Sequence, residues 1–143
     1  MIMTTFRAAA LVGLLLAVVS PARAEIEIKP VTSPGGIEAW LYEDHTIPIL
    51  TIEASFLGGA ALDPAGKEGA TTLMSALLEE GAGDLDATGF AVAREGLAAR
   101  IGFGAGRSDV TVSATMLVEN RDATVDLLRL ALTEPRFDEA AVE

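Results

Sequence analysis

Residues 47–83, IPILTIEASFLGGAALDPAGKEGATTLMSALLEEGAG, change their hydrophobic period once, and that change constrains the fold more than any other feature. IPILTIEASFLGG is rich in branched residues and ends on Gly58-Gly59, the pattern of a strand. ALDPAGKEG carries the turn formers Asp63-Pro64 and Ala65-Gly66. From Ala70 onward the apolar positions Ala70, Leu73, Met74, Leu77 and Leu78 fall at i, i+3, i+4, i+7 and i+8. That spacing predicts a helix with one core-facing stripe, closed by Gly81 and Gly83. A long strand that turns directly into an amphipathic helix requires a sheet layer against a helix layer.

The flanking segments extend the same pattern. EIEIKPV alternates apolar and polar positions, and IEAWLYED follows the Ser33-Pro34-Gly35-Gly36 turn, so the two read as a hairpin or as sequential edge strands. Asp84 or Asp86 caps a second helix, ATGFAVAREGLAAR. RIGFGAG and DVTVSATML read as two strands joined through Arg107-Ser108. Asn120 starts a third helix, RDATVDLLRLALTE, which stops at Pro135. FDEAAVE reads as the first turn of another helix, too short to stand alone, as expected of a fragment. The predicted fold is α+β: a mostly antiparallel sheet with helices packed on one face.

The first 24 residues stand apart. MIMTTFR is a short basic start, AAALVGLLLAVVS is an apolar run shorter than a membrane span, and Ala22-Arg23-Ala24 is a small-x-small cleavage site. They predict a signal peptide cleaved after Ala24 and an exported chain, periplasmic or extracellular, with no stable membrane anchor. Removing Arg7 and Arg23 and no acid takes the net charge from −11 to −13. A surface so acidic repels phosphate backbones, so no nucleic-acid partner is expected. The absence of cysteine excludes disulfides and thiolate metal sites.

Candidate chemistry is sparse. AGKEG lacks the features of a phosphate loop, having Glu68 where a hydroxyl is needed and Ala61 where the first glycine belongs. GFGAGR has Gly102 and Gly104, but Arg107 takes the place of the third glycine of a dinucleotide fingerprint. Glu79, Glu80, Asp84 and Asp86 cluster at a helix end without the spacing of a calcium loop, and read as a solvated helix end plus a cap. Ser75 lies mid-helix, away from any Gly-x-Ser-x-Gly elbow. His45, the sole histidine, lies in a loop beside Asp44 and reads as solvated.

LYEDHTIPIL, FLGGAALDPAGKEGATTLMSALLEEGAG, the GAGRSDVTVSATML strand pair and LALTEPRF together resemble the N-terminal domain of the pitrilysin/insulinase family of zinc peptidases, and most closely its non-catalytic bacterial subunits. The resemblance spans nearly all of residues 25–143, read as the N-terminal part of such a domain and as an incomplete fragment. Its most specific part is the Gly-Gly-x-x-x-Asp-Pro-x-Gly-Lys-x-Gly loop. In active members the next helix carries His-x-x-Glu-His, whose positions i, i+3 and i+4 share one face. Two imidazoles there hold zinc and the glutamate acts on the metal-bound water. In register, those positions are Thr72, Ser75 and Ala76, and none can do that work. The third zinc ligand would lie beyond Glu143.

The resemblance therefore implies no catalytic residue, no metal and no cofactor in this chain, with zinc carried by a catalytically active partner. It implies a heteromeric peptide-degrading or processing complex acting on unfolded peptides. There the face of Thr72, Ser75, Ala76 and Glu79 lines a chamber, and peptide adds as a strand to a sheet edge in the active subunit. Two other functions stay open: an active zinc peptidase with substitute ligands such as His45, and a peptide-binding or assembly module without protease activity.

Overall fold

The computed structural model describes residues 26–142, and the leader expected over residues 1–24 lies outside the described residues. The chain divides into two units, one reaching Asp44 and one beginning at His45.

In the first unit, β1 (Ile28–Thr32) pairs antiparallel with β2 (Glu38–Tyr42), in a register that sets Ile28 opposite Tyr42 and Thr32 opposite Glu38. This is the expected hairpin. Its turn closes because Gly36 N–H donates to the Ser33 carbonyl (2.9 Å) and Ile37 N–H donates to the Ser33 hydroxyl (3.0 Å). Pro34 sits at the second turn position, where its fixed φ is favourable. Lys29 and Glu43 form an exposed ion pair at 2.7 Å.

The second unit is built on a three-stranded antiparallel sheet in the order β3-β7-β6. β3 is Ile49–Leu57, β6 is Arg100–Ala105 and β7 is Asp109–Leu117. Alternation along β7 divides the sheet into two faces. Val112, Ala114 and Met116 are buried with Ile101 of β6 against the helices, whereas Thr111 and Ser113 are exposed. Two short strands, β4 (Gly81–Ala82) and β5 (Leu85–Asp86), form a separate ribbon.

Four helices complete the unit: α1 (Ala70–Leu77), α2 (Ala87–Gly96), α3 (Arg121–Thr133) and α4 (Glu139–Val142). Asp86 caps α2, its carboxylate accepting from Gly89 N–H at 2.7 Å, and Phe90 of α2 is fully buried. On α3 the buried positions Thr124, Leu127, Leu128 and Ala131 fall at i, i+3, i+4 and i+7. The helix ends two residues before Pro135, as the proline requires. Phe90, Leu127, Leu128 and Ala131, with Ala82 and Ala99, close over the inner face of β7 as one core. No described helix is long and apolar enough to cross a membrane.

Three expectations shift in detail. Asn120 precedes α3 but does not cap it; its side-chain amide donates instead to the Leu97 carbonyl (2.9 Å), tying the start of α3 to the end of α2. A short 3-10 turn, Val118–Asn120, leads into α3. The helix predicted to reach Arg100 stops at Gly96, and Arg100 opens β6.

The stop at Gly96 has a defined geometry. Ala98 N–H donates to the Glu95 carbonyl and Ala99 N–H to the Arg94 carbonyl, the two bonds of a Schellman end. That motif places Ala98 in the left-handed region at φ 49, where glycine is the usual occupant. Ala98→Gly should therefore stabilise the chain by about 1 kcal/mol, read as a rise in thermal midpoint of a few degrees.

Candidate functional site

The loop into α1 is held at both ends. Beyond β3, Gly58 N–H donates to Ser108 O, Ala60 N–H to Gly106 O and Ala61 N–H to Arg107 O, at 2.8–3.0 Å. The chain thus runs along the β6–β7 turn before a 3-10 turn, Ala60–Leu62. Gly59 packs so closely there that a side chain has no room, which is the task of the Gly58-Gly59 pair in the sequence. At the far end Gly69 precedes α1 with φ 94 and offers no capping side chain.

Asp63 caps the helix from six residues upstream. Its carboxylate accepts from Gly69 N–H at 2.7 Å and from Thr71 N–H at 3.0 Å, and the Thr71 hydroxyl donates to the same carboxylate. A helix start leaves such amides unpaired, and a carboxylate is their best partner. The hydrogen bond from the Thr71 hydroxyl, with those from the amides, holds the Asp63 carboxyl below its ordinary value. Glu68 accepts from Gly66 N–H at 3.0 Å and is lowered for the same kind of reason. The Asp-Pro-x-Gly-Lys-x-Gly loop is, in this chain, a clamp on the helix start.

Along α1 the structure corrects the predicted stripe. Leu77 and Leu78 are buried, but Leu73 is 48% exposed and Met74 38% exposed. The position buried a turn earlier is Ser75, 2% exposed, whose hydroxyl donates to the Thr71 carbonyl at 2.9 Å. Thr72 and Ala76 are both exposed on the remaining surface. Ser75 therefore points into the protein, and the expected common face of Thr72, Ser75, Ala76 and Glu79 is split between interior and surface. Zinc does not fit these three residues: Ala76 has no donor atom, and the Ser75 hydroxyl is buried and engaged with backbone.

Glu79 has a separate task. It receives Arg94 Nη1 of α2 at 2.7 Å, with both side chains about one-third exposed or less. The acidic helix end is thus divided between uses, with Glu79 on Arg94 and Asp86 on the start of α2. No three His, Asp or Glu side chains converge as metal ligands among the described residues. His45 is exposed in the loop before β3.

An open cleft of about 500 Å³ is lined by Gly83, Asp84, Leu85, Leu130, Glu134, Pro135 and Arg136, with no residue of α1 among them. It lies at a junction where the chain after α3 pairs with β4: Gly83 N–H donates to Glu134 O and Arg136 N–H to Gly81 O. Arg136 Nε donates to Asp138 at 2.7 Å and its Nη1 to Gly83 O at 3.3 Å. The bond to Asp138 raises the guanidinium further above its ordinary range. The Arg136 guanidinium and the backbone groups of Gly81, Gly83 and Glu134 are engaged in holding the junction.

Asp63 and Arg94 were both missed from sequence. The Asp63 clamp had a signal, an acid shortly before a helix that starts on glycine, although the gap exceeds the usual capping spacing. The Arg94–Glu79 pair is separated by fifteen residues across two helices, and no local rule reports it.

No protein-family model matches the chain. Among curated proteins it is similar to the non-peptidase homologue YmxG of Helicobacter pylori, 28% identical over 141 residues, which is 99% of this chain and 32% of that protein. The chain thus spans about a third of the curated relative it matches. Among solved structures it is similar to a peptidase M16 inactive domain from Pseudomonas fluorescens, with a TM-score of 0.74 and 23% identity over 81% of this chain and 28% of that one. It is also similar to the periplasmic protease PqqL from Escherichia coli, with a TM-score of 0.71 and 16% identity over 87% of this chain and 15% of that one. The fold is that of an M16 peptidase domain, as the resemblance to the pitrilysin/insulinase peptidases implied.

Two outcomes follow from this geometry. A carboxyl depressed in the folded chain stabilises it above the unfolded pKa and loses that contribution as pH falls through the folded value. The Asp63 clamp should therefore persist below the ordinary carboxyl range and fail only at more acid pH. Asp63→Asn should lower the thermal midpoint at neutral pH and flatten this acid limb, both read by circular dichroism. Separately, Thr72→His with Ala76→His places two imidazoles one turn apart on accessible surface, and zinc should raise its melting temperature. Adding Ser75→Glu should cost roughly 2–4 kcal/mol, because a carboxylate replaces a buried hydroxyl.

Proposed function

We propose that this chain is an exported, non-catalytic homologue of a zinc metallopeptidase, forming the N-terminal part of a longer pitrilysin/insulinase-like domain. It acts as the inactive subunit of a heteromeric complex that degrades or processes unfolded peptides, beside a family member that carries the zinc. The observation that carries this reading is the inward turn of Ser75. An M16 zinc helix presents two imidazoles and a carboxylate on one accessible face. Here the middle position is packed inside and bonded to Thr71 O, while Thr72 and Ala76 bring no imidazole. The similarity to a protein described as a non-peptidase homologue agrees with it.

Export is part of the proposal. It rests on the basic start, apolar run and Ala22-Arg23-Ala24 site, and it accords with PqqL being a periplasmic protease. The acidic charge favours neither nucleic acid nor an anionic membrane surface as partner.

The test is a reconstitution. The purified chain should hold much less than one zinc per molecule by metal analysis and should cleave no unfolded peptide. Mixing it with a family member bearing an intact His-x-x-Glu-His should yield hydrolysis that neither chain gives alone. Chelator-sensitive activity from this chain by itself would replace the proposal with an active peptidase using other ligands. Peptide binding without any hydrolysis in the mixture would leave a binding or assembly module in its place.

A further inference from the structure

The hydroxyl of Thr124 is the one buried side-chain polar group without a hydrogen-bond partner among the described residues. Thr124 is fully buried on the inner side of α3, where an unpaired hydroxyl costs free energy. Two other helical hydroxyls avoid that cost by donating to the carbonyl four residues back, Ser75 to Thr71 O and Thr133 to Arg129 O. For Thr124 that carbonyl belongs to Asn120. Asn120 has φ −99 and ψ 9, outside the α-helical region, and closes a 3-10 turn in which Arg121 N–H donates to Val118 O. Its carbonyl is therefore displaced from the position that an unbroken helix would give it. The Asn120 side chain meanwhile donates to Leu97 O at 2.9 Å, and Ala98 beside Leu97 holds its left-handed φ of 49. Two costs, an unpaired hydroxyl and a left-handed alanine, thus flank one hydrogen bond.

We infer that the α2–α3 junction is a two-state element, in which the Asn120–Leu97 bond and a hydrogen bond from the Thr124 hydroxyl exclude each other. In the arrangement seen here the tie to Leu97 is made and Thr124 is unpaired. In the other, Asn120 turns helical and Val118 O passes from Arg121 N–H to Asp122 N–H. The helix α3 then begins a turn earlier, with the Thr124 hydroxyl donating to Asn120 O. One side-chain hydrogen bond is lost and one is gained. What favours the present arrangement is that the longer helix would start on Leu117, which has no side-chain oxygen to cap it. An open groove of about 310 Å³ between α2 and α3 is lined in part by Ala93, Leu97, Ala123, Leu127 and Leu130, so its walls move with the junction.

A double-mutant cycle on the intact protein tests the inference. Thr124→Val replaces the hydroxyl with a methyl group and should raise the thermal midpoint by a few degrees. Asn120→Ala cuts the tie and favours helix at residue 120. In that background Thr124→Val should instead lower the midpoint, because it removes a hydrogen bond then present. This reversal of sign supports the inference, and the same sign in both backgrounds overturns it. A loss of stability on Thr124→Val in the otherwise native chain also overturns it, since the hydroxyl would then be paired already. If Asn120→Ala does not fold, relaxation dispersion by nuclear magnetic resonance decides on the native chain. Amides of residues 97–99 and 118–124 should share one microsecond-to-millisecond exchange process that Thr124→Val abolishes. Flat profiles in the native chain, or exchange that the substitution leaves unchanged, would sink the two-state junction.

Discussion

A Cβ placed on Gly59 would lie 2.3 Å from the Gly106 carbonyl oxygen and 2.5 Å from the Asp109 amide nitrogen, so the end of β3 crosses the β6–β7 turn only because residue 59 has no side chain. That contact sets the course of everything that follows it in the chain. It aligns Gly58, Ala60 and Ala61 to donate to three successive carbonyls of the turn. The loop then leaves the sheet with a fixed direction, and Asp63 arrives within reach of Gly69 and Thr71. The start of α1 is therefore referred back to the sheet through backbone contacts and one carboxylate.

From Asp63 the hold passes along the helix through a single residue. Thr71 gives its N–H and hydroxyl to Asp63, and its carbonyl accepts from the buried Ser75 hydroxyl. Further on, Leu77 and Leu78 are buried and Glu79 binds Arg94 of α2. Each of these attachments is internal to the protein. A hydroxyl bonded to the carbonyl four residues back is buried at little cost, since its hydrogen-bonding need is met within the helix. A carboxylate at the same place would need a cation beside it.

How far sequence alone reached depends on which interaction decides each element. Strand β7 and helix α3 were legible because burial follows their periodicity, and α3 buries the i, i+3, i+4, i+7 set it advertises; β3 was legible from its run of branched residues ending on Gly58-Gly59. The phase of α1 was not legible. Its apolar positions have the right period, but the clamp at Thr71 rotates the helix so that Ser75 lies inside while Leu73 and Met74 face out. The end of α2 was misplaced for a related reason. Ala98 terminates it by its left-handed backbone geometry, and Leu97, Ala98, Ala99 and Arg100 are good helix formers that give no warning. At the candidate site, the missing imidazoles could be read directly, whereas the burial of Ser75 required the fold.

An active-site helix and a packed helix make different demands on the same residues. A metal site needs three donors converging within a few tenths of an ångström, and one wrong donor removes most of its affinity. A packed helix needs only its first amides satisfied and one side buried. In this chain Asp63, Thr71 and Ser75 meet the second demand from one side of α1, and none of their bonds involves Thr72 or Ala76. The hold on the helix is thus separable from metal chemistry, and the loop-helix shape persists without it. What α1 then offers outward is a surface of Thr72, Leu73, Met74 and Ala76, which lacks the groups for hydrolysis and has the mixed, weakly polar character of a contact surface.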